Sequence, residues 1–109
     1  MLAMDAGAND CFASCFTASG ECHIVMPGVD KKGTEELKGL CATLHEKFAQ
    51  ARHWEGNVCV DGSGDQATNV SYWKATEGGE CVSTGVHRDH LVRTADGWRL
   101  QDRVIEHTW

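Results

Sequence analysis

The spacing of apolar residues changes its period about halfway along the chain. Phe12, Cys15 and Phe16 fall at i, i+3 and i+4, with Asn9 or Asp10 placed to cap a short helix and Ser19-Gly20 to end it. Glu21 to Met26 then reads as a strand closed by Pro27-Gly28, which holds the only proline of the chain. The clearest element follows. Leu37, Leu40, Cys41, Leu44 and Phe48 recur at helical spacing and predict a helix running to about Gln50. Thr34 is its expected N-cap, and Glu35 and Glu36 complement the helix dipole in the first turn. Its single apolar stripe should lie against a sheet.

From His53 onward the period is two. His53 to Val60, Gln66 to Ala75, Cys81 to Thr94 and Trp98 to His107 are expected strands. The segments between them are turn chemistry: Asp61-Gly62-Ser63-Gly64-Asp65, Gly78-Gly79 and Asp96-Gly97. Helices first and an antiparallel meander afterwards is an α+β layout. Along the second of these strands Asn69, Ser71 and Trp73 share one face, and Val70 and Tyr72 the other. Pattern alone leaves open which face looks inward.

At 109 residues the chain fits one domain, residues 1–109, and 41% hydrophobic with 24% charged residues is ordinary globular composition. A formal net charge of −6, with ten scattered Lys and Arg, argues against a nucleic-acid partner. No apolar run approaches membrane-spanning length, and Met1-Leu2-Ala3-Met4-Asp5 lacks the marks of a signal peptide. The expected location is therefore the cytoplasm, where the six cysteines read as thiols. Cys11, Cys15 and Cys41 fall on the apolar faces of the expected helices. No C-x-x-C pair occurs, and His87 and His90 are sent to opposite faces of their strand, so no metal site is expected. Nucleophile-elbow, Rossmann and P-loop patterns are lacking too, which disfavours hydride and phosphoryl chemistry.

Three stretches resemble the SnoaL-like domains of the nuclear-transport-factor-2-like (NTF2-like) superfamily. The first is His53-x-x-x-Asn57-x-x-Val60-Asp61-Gly62 followed by Gly64-Asp65-x-Ala67. The second is Gly85-x-His87-x-Asp89-x-Leu91-Val92-Arg93-Thr94-x-Asp96-Gly97-Trp98-Arg99-Leu100, which resembles the closing hairpin of the family. The third pairs Met4-Asp5 with Phe16-Thr17. Polyketide cyclases, scytalone dehydratase, ketosteroid isomerase and the small subunits of ring-hydroxylating dioxygenases share this fold. The resemblance implies a cone-shaped curved antiparallel sheet packed on N-terminal helices, an α+β barrel with a deep pocket, and commonly a homodimer through the outer sheet. The chain departs from the family in two respects. Only four residues precede Asp5 where the family has a full helix, and His87 stands where the family usually has Tyr.

Candidate chemistry concentrates on three residues. The resemblance implies that His53 points into the pocket, where a neutral imidazole suits both proton abstraction and return. It also implies that Asp5 acts as a base or orients that ring. The plainer alternatives are a His53 that bonds backbone at the sheet rim and an Asp5 that solvates the chain end. His87 and Asp89 share a strand face, so they make either a His–carboxylate pair or a structural network in which Asp89 meets Arg103. Tyr72, Asn69, Trp54 and Asp89 are the candidate substrate contacts. Trp54, Trp73 and Trp109 are expected to line the pocket or an interface, and Trp98 to lie in the core.

These readings converge on a cofactor-independent acid–base enzyme of cyclase, dehydratase or isomerase type. Its substrate would be an apolar, carbonyl-bearing small molecule, with His53, Asp5 and His87 as the catalytic groups. A non-catalytic small-molecule-binding module or an assembly subunit of the same fold is the alternative.

Overall fold

A computed structural model describes residues 2–108, so Trp109 lies outside the described residues. Two short helices, α1 (Leu2–Asp5) and α2 (Asn9–Ser14), lead into strands β1 (Phe16–Ile24) and β2 (Val29–Lys32). Helix α3 (Thr34–Lys47) follows, then four long strands: β3 (Ala51–Ser63), β4 (Gln66–Glu77), β5 (Glu80–Thr94) and β6 (Gly97–His107). They form one open six-stranded sheet in the order β2-β1-β6-β5-β4-β3. Only β1 and β6 run parallel; every other neighbouring pair is antiparallel. This is a mixed α+β fold with the helices collected at the N-terminal side of a curved sheet.

The chain leaves α2 earlier than periodicity predicts. Ser14 and Cys15 both donate from their side chains to the Cys11 carbonyl, which closes the last turn, and the strand begins at Phe16. Phe12 and Phe16 still meet, with ring centroids 5.5 Å apart, but across a helix–strand junction rather than along one helix. Cys11 and Cys15 are consequently exposed, contrary to expectation, whereas Cys41 is fully buried. Thr34 is the first helical residue of α3, preceded by Gly33, whose φ of +86° suits glycine. The helix stops at Lys47 rather than near Gln50, and Phe48 is half exposed.

Leu37, Leu40 and Cys41 of α3 pack on Cys22 and Ile24 of β1 and on Met4, Phe12, Ala13 and Phe16 to make the main apolar core. Leu44, Leu100 and Ile105 extend it. The open question about β4 is resolved by burial: Ser71, Trp73 and Ala75 face inward, while Val70 and Tyr72 face outward. Trp54 is 59% exposed on the outer face of the neighbouring strand, and Trp98 is 40% exposed rather than a core residue. No helix among the described residues is long and apolar enough to cross a membrane.

Candidate active site

Asp5 ends α1 and His53 lies near the start of β3, yet the fold brings them into contact. Asp5 Oδ1 is 2.6 Å from His53 Nδ1, and the His53 backbone N–H donates to Asp5 Oδ2 at 2.7 Å. Both oxygens of one carboxylate are thus engaged by one residue, which fixes ring and carboxylate together. The two side chains are 16% and 8% exposed. With Nδ1 engaged by Asp5, the remaining nitrogen of the imidazole is Nε2.

A second imidazole–carboxylate pair lies on the same inner face. His87 of β5 is completely buried and hydrogen-bonds Glu55 of β3 through Nδ1. The bond from His87 draws the Glu55 carboxyl down to about 2, and Arg103 nearby acts in the same direction. Burial pulls His87 the other way from its partner's attraction and leaves it below the ordinary imidazole range. The pair is therefore a neutral imidazole donating to an ionised carboxylate. Trp73 stands between the two histidines: its ring centroid is 6.1 Å from His53 and 5.9 Å from His87, nearly parallel to the latter. His107 meets it edge-on at 5.0 Å.

Asp89 is occupied by structure. Arg103 donates to both of its oxygens at 2.7 and 2.9 Å, and the Asn69 amide donates at 2.9 Å. Arg103 also approaches Glu55 at 3.5 Å, so Asn69, Asp89, Arg103, Glu55 and His87 form one chain of contacts. Burial works against the Arg103 charge, but Asp89 and Glu55 outweigh it and hold the guanidinium protonated.

Asp5, His53, Trp73 and His87 all line a cavity of about 630 Å³, whose lining also includes residues of α3 and Met26-Pro27. Its volume lies within the range of roughly 300–1,000 Å³ that takes drug-sized molecules. Leu40, Leu44 and Ile105 supply apolar wall. Of the residues singled out by sequence, His53, Asp5 and His87 are gathered here. Asn69 and Asp89 line a separate cavity of about 900 Å³ toward the hairpin ends, and Trp54 and Tyr72 line a groove on the outer face. Glu55 escapes the sequence reading, although a period of two from His53 places it on the same strand face.

Comparison with known proteins adds to this geometry. A family model described as the SnoaL-like domain matches residues 1–104. No curated protein matches. Among solved structures, ActVI-ORFA from Streptomyces coelicolor is 26% identical, with a TM-score of 0.82 over 99% of this chain and 88% of that one. An NTF2-like protein with a cystatin-like fold from Novosphingobium aromaticivorans is 22% identical, with a TM-score of 0.89 over 98% and 73%. A proposed scytalone dehydratase from the same species is 18% identical, with a TM-score of 0.84 over 99% and 76%. The last two likenesses carry the fold alone.

Proposed function

The chain belongs to the SnoaL-like domain family, and from that premise we propose that it is a cofactor-independent acid–base enzyme of the cyclase, dehydratase or isomerase type. Its substrate is an apolar small molecule bearing a carbonyl group. The observation that carries this reading is the Asp5–His53 pair, held through both carboxylate oxygens in the wall of a cavity of about 630 Å³.

The chemistry follows from the pair's geometry. Asp5 holds the His53 Nδ1 proton and stabilises the imidazolium that forms when Nε2 takes a proton from carbon α to the substrate carbonyl. The same nitrogen returns the proton to the leaving group or to another carbon, so no external acid is consumed. Apolar walls exclude water and keep the substrate near the ring. His87 is the second polar group of the wall.

We place the reaction in a homodimer in the cytoplasm, packed through the outer sheet face on which Trp54, Tyr72, Val70 and Val82 are exposed. A panel of cyclic ketones and β-hydroxy ketones, assayed for product by mass spectrometry, tests the enzymatic reading. Turnover of a panel member that falls about a hundredfold or more in His53→Ala supports it. A His53→Ala protein that turns the same compound over like wild type ends it.

A further inference from the structure

Strand β3 changes its inward set partway along. Gly56 stands opposite Tyr72 and Cys59 opposite Val70, so one extra residue is inserted between them as a β-bulge, with Asn57 at a φ of +50°. Ahead of the bulge His53 lines the cavity of the Asp5–His53 pair; beyond it Val58 and Val60 line the separate cavity of about 900 Å³. Without the insertion, a period of two from His53 would bring Asn57, Cys59 and Asp61 to that face instead. The bulge thus gives the second cavity an apolar wall, in which Val58 and Val60 stay 61% and 63% exposed. Asn69 stands across from Val60 in the register, and Ser71 shares its strand face; both line this cavity. The Asn69 amide nitrogen donates to Asp89, so its Oδ1 can only accept, and that oxygen is buried without a partner among the described residues. Ser71 is 1% exposed, and its Oγ is likewise buried with no partner among them. A buried polar atom left unpaired is costly, so two in the lining of one cavity point to a ligand that meets them.

We propose that this second cavity is a binding site for a neutral, flat, apolar molecule with a lactam or carboxamide edge. Such an edge carries an N–H and a C=O side by side. The N–H donates to Asn69 Oδ1, which takes only a donor, and the C=O accepts from the Ser71 hydroxyl. Two positions apart on one strand face, the residues have Cα atoms about 7 Å from each other, a span that two adjoining groups of one ligand can bridge. The apolar body lies along Val58, Val60 and Leu91. Charge is matched within the wall itself. Arg103 donates to both Asp89 oxygens and stands 3.5 Å from Glu55, which His87 also bonds, while Arg99 donates to the Trp98 carbonyl. No unmatched carboxylate is left there to hold an ammonium group. A carboxylate ligand would set its oxygens against Asn69 Oδ1, and an ester would leave that atom unpaired. The volume suits a small molecule, within the range of roughly 300–1,000 Å³.

The probes are 2-quinolone and 1-methyl-2-quinolone, titrated into the whole chain by calorimetry and followed by methyl NMR. The first should bind about tenfold or more tightly than the second, because methylation removes the proton that Asn69 Oδ1 needs. Ser71→Ala should weaken both severalfold, since both keep the carbonyl. At saturation the methyl resonances of Val60 and Leu91 should move and that of Ile105, which lines the other cavity, should stay. Val60→Trp changes an exposed side chain and should block the site without unfolding the protein. His53→Ala should bind 2-quinolone as wild type does, which keeps this outcome separate from that of the acid–base reading. Equal affinities, shifts centred on Ile105, or wild-type binding by Val60→Trp would overturn the proposal. So would the absence of measurable binding, which would leave the two buried atoms to water alone.

Discussion

The two histidines of the cavity, His53 and His87, each engage a carboxylate through Nδ1, and their surroundings set them apart. His53 is partly open to the cavity, whereas His87 is fully buried and held below the ordinary 6.5. A histidine with a lowered folded pKa favours the fold above its unfolded value and withdraws that support as pH falls through its folded one. Glu55, drawn down to about 2 from an ordinary 4.5, acts with the same sign at lower pH. These two groups should therefore lower the melting temperature as pH drops below about 6.5 and again below about 4.5, while His23, raised by its hydrogen bond to Asp30, acts in the opposite sense over the first interval. Replacing His87 by Phe should remove the first of these declines in a thermal-melt series; a decline that persists unchanged would assign it to other groups. The sequence exposed these residues unevenly. Asp5 and His53 are 48 positions apart, and only the family resemblance joined them, since no local pattern encodes a contact across the fold. Glu55 was within reach of simple alternation from His53. Its value came from His87, which reaches it across the intervening strand.

Strands and turns were more legible than helix ends. Period-two alternation and Gly-rich turns describe β3 to β6 to within a few residues, because a long meander repeats the same local rule. Periodicity overextends α2 because Phe12 and Phe16 satisfy helical spacing and also pack together once the chain has turned into β1. One strand position has a sharper requirement than alternation conveys. A Cβ at Gly85 would lie 1.8 Å from the Glu106 carbonyl oxygen and 2.6 Å from the Trp73 ring. The glycine therefore lets β5 and β6 close while Trp73 lies flat between the histidines. Gly85→Ala should destabilise the protein by about 1–3 kcal/mol, the usual range for overpacking, and should displace Trp73. Denaturant unfolding followed by tryptophan fluorescence reads both effects; a wild-type midpoint and spectrum would contradict the packing argument.

At the scale of the whole molecule, the sheet divides two tasks. Its inner face carries the core and the cavity, and its outer face exposes Tyr72 at 58% and Trp54 at 59%. Alternation had left the facing of β4 undecided, because aromatic residues occupy both sides; burial decides it, with Ser71, Trp73 and Ala75 turned inward. An exposed aromatic face of this kind suits a second copy, and a small domain gains from burying it. Light scattering at micromolar concentration should give about twice the 11.9 kDa of one chain, and the Tyr72→Lys variant should shift the mass toward one chain. A wild-type mass of a single chain would rule out the dimer. The central claim is that Asp5 and His53 move a proton of a carbonyl substrate. It is tested most directly by solvent-deuterium exchange at the carbon α to the carbonyl of a bound cyclic ketone, followed by NMR in D₂O. Wild-type protein should accelerate exchange, Asp5→Asn should weaken the acceleration, and His53→Ala should return the rate to that of buffer. Exchange in His53→Ala at the wild-type rate would contradict the claim.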